Sequence, residues 1–146
     1  MINVTIQPPY VNPLVVRPIH EEVDGDIVAS YLAKAKENDF HIHGVRINGY
    51  VALIDDHHKS TAMYLLDKPF NLEILQTTHE LMQYGKGAAR YARTGGMEHL
   101  LRIINARFQD LSHPSYNVHH IGDIFVFLRN RDRFERARVL TPETFE

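Results

Sequence analysis

The clearest helical pattern in the chain lies between residues 24 and 38. Its apolar positions recur every three or four residues, which places them on one face of a helix. They are Ile27, Val28, Tyr31, Leu32 and Ala35. Asp24 or Asp26 can cap the first turn, because an aspartate oxygen accepts hydrogen bonds from the free backbone N–H groups there. We therefore predict a helix from this pair of aspartates to about Asn38.

Two apolar runs, residues 40–47 and 50–54, flank the pair Asn48-Gly49. A two-residue hairpin turn needs positive φ at both central positions, and Asn and Gly tolerate that conformation better than other residues. The pattern therefore predicts an antiparallel hairpin. His41 and His43 alternate with apolar neighbours in its first strand, so we expect them to share its polar face.

Weaker patterns divide the rest of the chain. They predict strands at residues 15–20, 124–128 and 136–140. They predict helices at residues 60–66, at residues 97–108, and from about residue 71 to the glycines at 85 and 87. A wide turn is predicted at residues 129–135 and the start of a helix at residues 141–143. The prolines within residues 1–13 favour an extended N-terminal arm or edge segment. Strands near both ends with helices between them indicate a single α+β domain, with a small mixed or antiparallel sheet and three to four helices.

Composition narrows the class of protein. The length of 146 residues suits one domain rather than two. The absence of cysteine excludes disulfides, a thiolate nucleophile and cysteine-bound zinc. No stretch of sequence is apolar enough to span a membrane, and the first residues lack the charged-then-apolar pattern of a secretory signal. We expect a cytoplasmic protein.

Charge is distributed unevenly, although the net charge is only -2. Residues 1–85 hold 6 Lys/Arg against 11 Asp/Glu, whereas residues 86–138 hold 10 against 5. Guanidinium groups bind phosphate and carboxylate through paired hydrogen bonds. We therefore expect an anionic ligand or an acidic protein surface to bind the cations of the later stretch, and a solvated charged face is the simpler alternative. Of the ten cations in this stretch, the eight that we expect to bind the ligand are Lys86, Arg90, Arg93, Arg129, Arg131, Arg133, Arg136 and Arg138.

The densest group of side chains suited to metal or acid–base chemistry is Asp55-Asp56-His57-His58, at the end of the apolar run 50–54. Carboxylate oxygen and neutral imidazole suit Mn, Fe or Zn. A site of this kind can leave one position open for water. The same residues would also suit the solvated end of a hairpin, and the sequence leaves both interpretations open.

Two short motifs resemble those of the Asp-His-His phosphoesterases. The segment from His20 to Asp26 is similar to that family's first metal motif, and Asp56-His57-His58, after a strand, is similar to the motif that names the family. The resemblance implies a phosphodiesterase with two divalent ions, Mn or similar, and a bridging hydroxide that attacks the phosphorus. The implied ligands are His20, Asp24, Asp26, Asp56 and His57.

A second resemblance covers both ends of the chain. The chain resembles small phage and prophage proteins in residues 15–19 followed by 26–32, and in Ile121-Gly122-Asp123-Ile124-Phe125-Val126-Phe127 with the ending Val139-Leu140-Thr141-Pro142-Glu143-Thr144-Phe145-Glu146. A phage protein of this kind would lie in the cytoplasm of the host cell. Those proteins pair an N-terminal strand and helix with a C-terminal Gly-Asp-aromatic strand and a Pro-Glu-x-Phe ending. The resemblance implies a phage origin and little about activity.

Together these patterns predict a phage-derived binding protein without a cofactor. Its ligand would be nucleotide-like or phosphorylated, or its partner a host protein, and an anti-defence role would fit. Nucleic acid is not excluded as a partner, and the chain is expected to form a homo-oligomer. The alternatives are the metal-dependent phosphodiesterase and a structural component of a virion.

Overall fold

The computed structural model describes residues 10–38, 40–84 and 86–139. Five strands form its main sheet in the order β1-β6-β4-β5-β2. They are β1 (Tyr10–Val11), β2 (Val16–Arg17), β4 (His41–Ile47), β5 (Tyr50–Leu53) and β6 (Phe70–Ile74). The β1–β6 and β4–β5 pairs are antiparallel, and the β4–β6 and β2–β5 pairs are parallel. A separate parallel pair joins β3 (Glu22–Asp24) to β7 (Phe125–Phe127).

Five α-helices cover both faces of the main sheet. They are α1 (Gly25–Ala35), α2 (His57–Leu65), α3 (Thr78–Tyr84), α4 (Lys86–Leu111) and α5 (Arg131–Val139). Strand residues such as Ile42 and Phe70 pack with α1, α2 and α5 in one core, whereas Val45 and Leu75 pack with α3 and most of the buried part of α4 in a second core. The predicted α+β class with a mixed sheet is confirmed.

Local signals account for the elements that the sequence predicted best. The Asp24 carboxylate accepts the Asp26 N–H at 2.8 Å and caps α1. Asn48 and Gly49 have φ values of 49° and 81°, as the tight turn between β4 and β5 requires. The predicted helix and hairpin are therefore both confirmed.

The helix predicted to begin near residue 71 is wrong over its first part. Residues 70–74 form β6, which lies between β1 and β4. Phe70 and Leu72 are buried in the first core, whereas Glu73 is exposed. Apolar side chains therefore alternate with polar ones, which is the period of a strand. Helix begins only at Thr78, where α3 starts.

The turn at 129–135 and the returning strand at 136–140 are also wrong, because residues 131–139 form α5. Asn130 Oδ1 accepts the Arg133 N–H at 3.0 Å and so caps this helix. Phe134 and Ala137, three residues apart, are buried against α1. The arginines of residues 131–138 therefore lie on a helix, and not on one face of a strand.

Two further differences concern the C-terminal half. The strand predicted at 124–128 exists as β7, but it is not buried, since Phe125 and Phe127 are 61% and 46% exposed. The helix predicted at 97–108 belongs to α4, whose backbone is interrupted at Gly96 with φ 77°. The helix start at 141–143 and most of the arm at 1–13 lie outside the described residues. No helix of the described ranges is long and apolar enough to cross a membrane.

Candidate functional site

Parallel pairing of β2 and β5 brings two distant polar segments together. Val16 lies opposite Val51 and Arg17 opposite Ala52, so the chain leaves both strands at the same edge of the sheet. Residues 19–24 follow one strand and residues 55–59 follow the other. Beside them is a cleft of about 380 Å³. It is lined by Ile27, Tyr31, Asp55, Asp56, His57, His58, Lys59 and Tyr84.

The two imidazoles of the 55–59 segment act as hydrogen-bond acceptors for backbone. His57 is 4% exposed, and its Nε2 accepts the Ile19 N–H at 3.0 Å. His58 Nε2 accepts the Asp24 N–H at 3.2 Å. Burial lowers the pKa of both histidines, that of His57 strongly. Both rings are therefore held neutral and tie the 19–24 segment to the start of α2.

Asp56 is the most constrained side chain of the cleft. It adopts φ 66°, which is uncommon for a residue other than glycine. Its Oδ2 accepts a hydrogen bond from the Tyr84 hydroxyl at 2.9 Å and lies 3.3 Å from His43 Nδ1, and Lys59 Nζ lies 3.7 Å from Oδ1. Burial and the Asp56 charge raise the pKa of Tyr84. The hydroxyl therefore stays protonated and fixes the carboxylate.

Proximity alone does not assemble the metal ligands that the phosphoesterase resemblance implies. The His20 ring packs edge-on against the His57 ring, with 4.5 Å between the ring centres. However, the single lone pair of the neutral His57 ring already accepts the Ile19 N–H. The Asp24 carboxylate caps α1 and lies 3.4 Å from Arg129 Nη2. Asp26 lies in the first turn of α1, and one of its carboxylate oxygens is buried without a hydrogen bond.

Within the described part of the chain, no group of three or more His, Asp or Glu side chains has the geometry to hold a metal ion. The carboxylate of Asp56 is bound by Tyr84 rather than aimed at His20 or Asp24. The cleft carries the carboxylates of Asp55 and Asp56 against the single ammonium of Lys59, so it does not favour an anion either.

The arginines predicted to bind an anion, where their side chains are described, come from two segments that pack against different helices. Arg90 and Arg93 lie exposed on α4, which packs against α3, whereas α5 packs against α1. The backbone of Lys86 lies at the start of α4 and that of Arg138 near the end of α5, and their side chains are outside the description.

Among the arginines of residues 129–136, two have intramolecular partners. Arg129 pairs with Asp24, and Arg133 donates to the Asp26 carbonyl at 3.4 Å and to Ser30 Oγ at 3.3 Å. Both side chains therefore support the contact of the C-terminal segment with α1. Arg131 and Arg136 remain exposed on α5.

Sequence reasoning missed a different arginine site, which we call the Arg17 groove. It has a volume of about 260 Å³ and is lined by Arg17, Asn48, Tyr50, Asn105, Phe108, Gln109 and Ser112. The Arg17 guanidinium carbon lies 4.0 Å from the centre of the Phe108 ring and 4.9 Å from that of Tyr50. No carboxylate lines this groove.

The Arg17 guanidinium is incompletely bonded. Nη2 donates to Ser112 Oγ at 3.2 Å, while the buried Nε–H has no hydrogen-bond partner. Across residues 10–38, 40–84 and 86–139, no acidic side chain forms an ion pair with Arg17. Arg17, Tyr50 and Phe108 come from three distant segments, so no local pattern could identify the groove. The one local sign was an arginine inside the short apolar run before Pro18.

No family model, curated protein or solved structure matches this chain significantly.

Proposed function

We propose that the protein binds an anionic ligand, nucleotide-like or phosphorylated, in the Arg17 groove. The observation that carries this proposal is a guanidinium fixed between two aromatic rings without a carboxylate partner in the described ranges. Arg17 is half-buried and its guanidinium has one neutral hydrogen-bond partner, Ser112, whereas an anion would accept stronger, charge-assisted hydrogen bonds from it. The proposal keeps the predicted ligand class and moves the site to the groove from the predicted cations, which are Lys86, Arg90 and Arg93 of α4 and the arginines of residues 129–138.

Preorganisation supports the choice of Arg17 over the exposed arginines of α5. A free arginine loses side-chain entropy when it binds a ligand, and this loss weakens affinity. The Tyr50 and Phe108 rings and the Ser112 hydroxyl already hold the Arg17 side chain in one position. Less entropy is therefore lost when its fork of donors meets a phosphate or a carboxylate.

The other walls of the groove favour a ligand with a planar polar part. Asn48 Nδ2 donates to Asn105 Oδ1 at 3.2 Å, and this amide pair retains further donors and acceptors. Tyr50 is 49% exposed and offers part of its ring to a ligand. A nucleotide combines an anion, a planar ring and hydrogen-bonding edges, so it matches these three features.

The biological role follows from the ligand. A small protein that captures a nucleotide-like signal would remove it from the proteins that respond to it, which is the anti-defence role that a phage origin would explain. The phage resemblance and this role remain proposals, and neither is needed for the binding site itself.

Replacing Arg17 by Gln is expected to weaken binding of AMP about ten-fold or more, because a charge-assisted hydrogen bond contributes about 1.5–3 kcal/mol. Isothermal titration calorimetry of the purified protein with AMP measures the change. Thermal unfolding of the same variant establishes that it is folded.

The matched control is Arg136→Gln, which removes the same charge from the exposed face of α5. Its affinity for AMP should stay within about two-fold of the unmodified protein, the small change expected for a remote charge. Loss of binding in Arg136→Gln with full binding in Arg17→Gln would place the site on α5 and contradict the proposal.

A further inference from the structure

The Arg17 groove is the middle of a longer depression beside α4. At one end it adjoins a cavity of about 430 Å³, with which it shares Asn48 and Asn105. At the other end it adjoins a cavity of about 380 Å³, with which it shares Gln109. We call the three cavities together the extended groove.

One face of α4 forms the floor of the extended groove. In the central cavity and in the cavity next to Arg46, the lining residues of this helix and the residue that follows it recur every three or four positions, as Glu98, Leu101, Arg102, Asn105, Phe108, Gln109 and Ser112. The third cavity is lined from α4 by Arg107, Gln109 and Asp110. At about 1.5 Å per residue, this stripe is about 20 Å long. The hairpin residues Arg46, Asn48 and Tyr50 line the other side. The depression is therefore long enough for a chain-like ligand.

Cations, aromatic rings and amides line this length, together with the carboxylates of Glu98 and Asp110. The side chain of Arg46 is exposed, and it forms no ion pair or hydrogen bond with any described residue. Arg102 pairs only with Glu98, at 3.4 Å and on the open surface, where such a pair contributes little. Arg107, in contrast, is held by Glu21 at 2.9 Å and by the Ile19 carbonyl. The cations available to a ligand are therefore Arg46, Arg102 and Arg17.

Exposed tyrosines stand in the middle and at the far end. Tyr50 is 49% exposed in the central cavity, and Tyr116 is 53% exposed in the cavity next to Ser112. Proteins that bind single strands combine a cationic track for the backbone with aromatic faces for the bases. Amide side chains between the rings can meet base edges, which are unpaired only in a single strand.

We propose that the extended groove binds single-stranded nucleic acid. Phosphates of the strand lie against Arg46, Arg102 and Arg17, and bases stack on Tyr50 and Tyr116. This inference rests on the proposed anion site at Arg17 and names the ligand class for the whole depression.

Fluorescence anisotropy with labelled oligothymidylate tests the proposal. A strand of about eight nucleotides, within the site sizes known for single-strand binders, should bind at least ten-fold more tightly than AMP. Tyr50→Ala and Tyr116→Ala should each weaken binding of this strand about five-fold or more, because base–aromatic stacking contributes about 1–3 kcal/mol. Arg46→Gln should lower the slope of log affinity against log salt by about 0.7.

The matched control is Phe125→Ala, which removes an exposed aromatic ring on β7, away from the groove, and should leave binding unchanged.

If AMP binds through Arg17 but the strand binds no more tightly than AMP, the single-strand inference is wrong and the anion site stands. If a double-stranded competitor displaces the strand at lower concentration than an unlabelled single strand, the inference is also wrong. If neither AMP nor the strand binds, both proposals are wrong.

Discussion

Replacing Asn71 by Pro is expected to lower the free energy of unfolding by about 1–3 kcal/mol, because it removes a hydrogen bond of the sheet and leaves a carbonyl without its donor. Asn71 lies in β6, opposite Tyr10 of β1 on one side and His41 of β4 on the other. Its backbone N–H therefore faces a neighbouring strand in either direction, and proline has no N–H and is rarely accommodated inside a sheet. Urea unfolding followed by circular dichroism measures the loss.

This substitution separates the strand from the helix that the sequence suggested. If a helix began near residue 71, Pro would occupy its first turn, where the missing N–H costs little. Asn71→Ala is the control, since it keeps the backbone N–H while removing the same side chain. A loss in Asn71→Pro no larger than that in Asn71→Ala would contradict the central position of β6.

Acidification from pH 7.5 to pH 5 is expected to lower the free energy of unfolding through His57, by at most about 2 kcal/mol, the limit that one proton and an unfolded pKa of 6.5 set over this range. Burial lowers the pKa of His57 well below its ordinary value of 6.5 in the folded protein. Between that lowered value and pH 6.5, the unfolded chain binds more protons than the folded one, so stability falls as the pH falls. The contribution is complete above pH 6.5 and declines by about 1.4 kcal/mol per pH unit below it.

Unfolding in urea at a series of pH values tests this linkage. His57→Gln should be less stable at pH 7.5, because the hydrogen bond to the Ile19 N–H is disturbed, but its stability should depend less on pH below 6.5. His79→Gln is the control, since His79 is exposed on α3, and it should keep the full pH dependence. An unchanged pH dependence in His57→Gln would mean that His57 is protonated in the folded protein.

Helix α1 and the β4–β5 hairpin could be predicted because each is specified by adjacent residues. The Asp24 cap and the apolar face of α1 lie within one short segment. The turn between β4 and β5 needs only Asn48 and Gly49. Neither prediction required knowledge of what packs against the element.

Elements with two consistent periodicities could not be resolved in this way. Leu72 and Leu75 are spaced as on a helix, yet Phe70, Leu72 and Ile74 also alternate as on a strand, and pairing with β1 and β4 decides between them. The arginines of α5 likewise fit either period. In that segment the burial of Phe134 and Ala137 against α1 selects the helix.

For the candidate sites too, adjacent residues could be read from the sequence but contacts between distant residues could not. The Asp55–His58 patch was visible as a run, and its position beside the 19–24 segment follows from the parallel pairing of β2 with β5. The use of its side chains was not visible, because the partners of His57 and Asp56 are Ile19 and Tyr84, which are far away in sequence. The Arg17 groove depends wholly on such distant contacts.

NMR of the unmodified protein with AMP is the most direct test of ligand binding in the Arg17 groove. Backbone and side-chain signals are recorded while AMP is added, and the residues whose shifts change identify the surface that binds it. If AMP binds in the Arg17 groove, the shifts of Arg17, Asn48, Tyr50, Asn105 and Ser112, which line it, will change. Changes confined to α5, or to the cleft around Asp55 and Asp56, would contradict it.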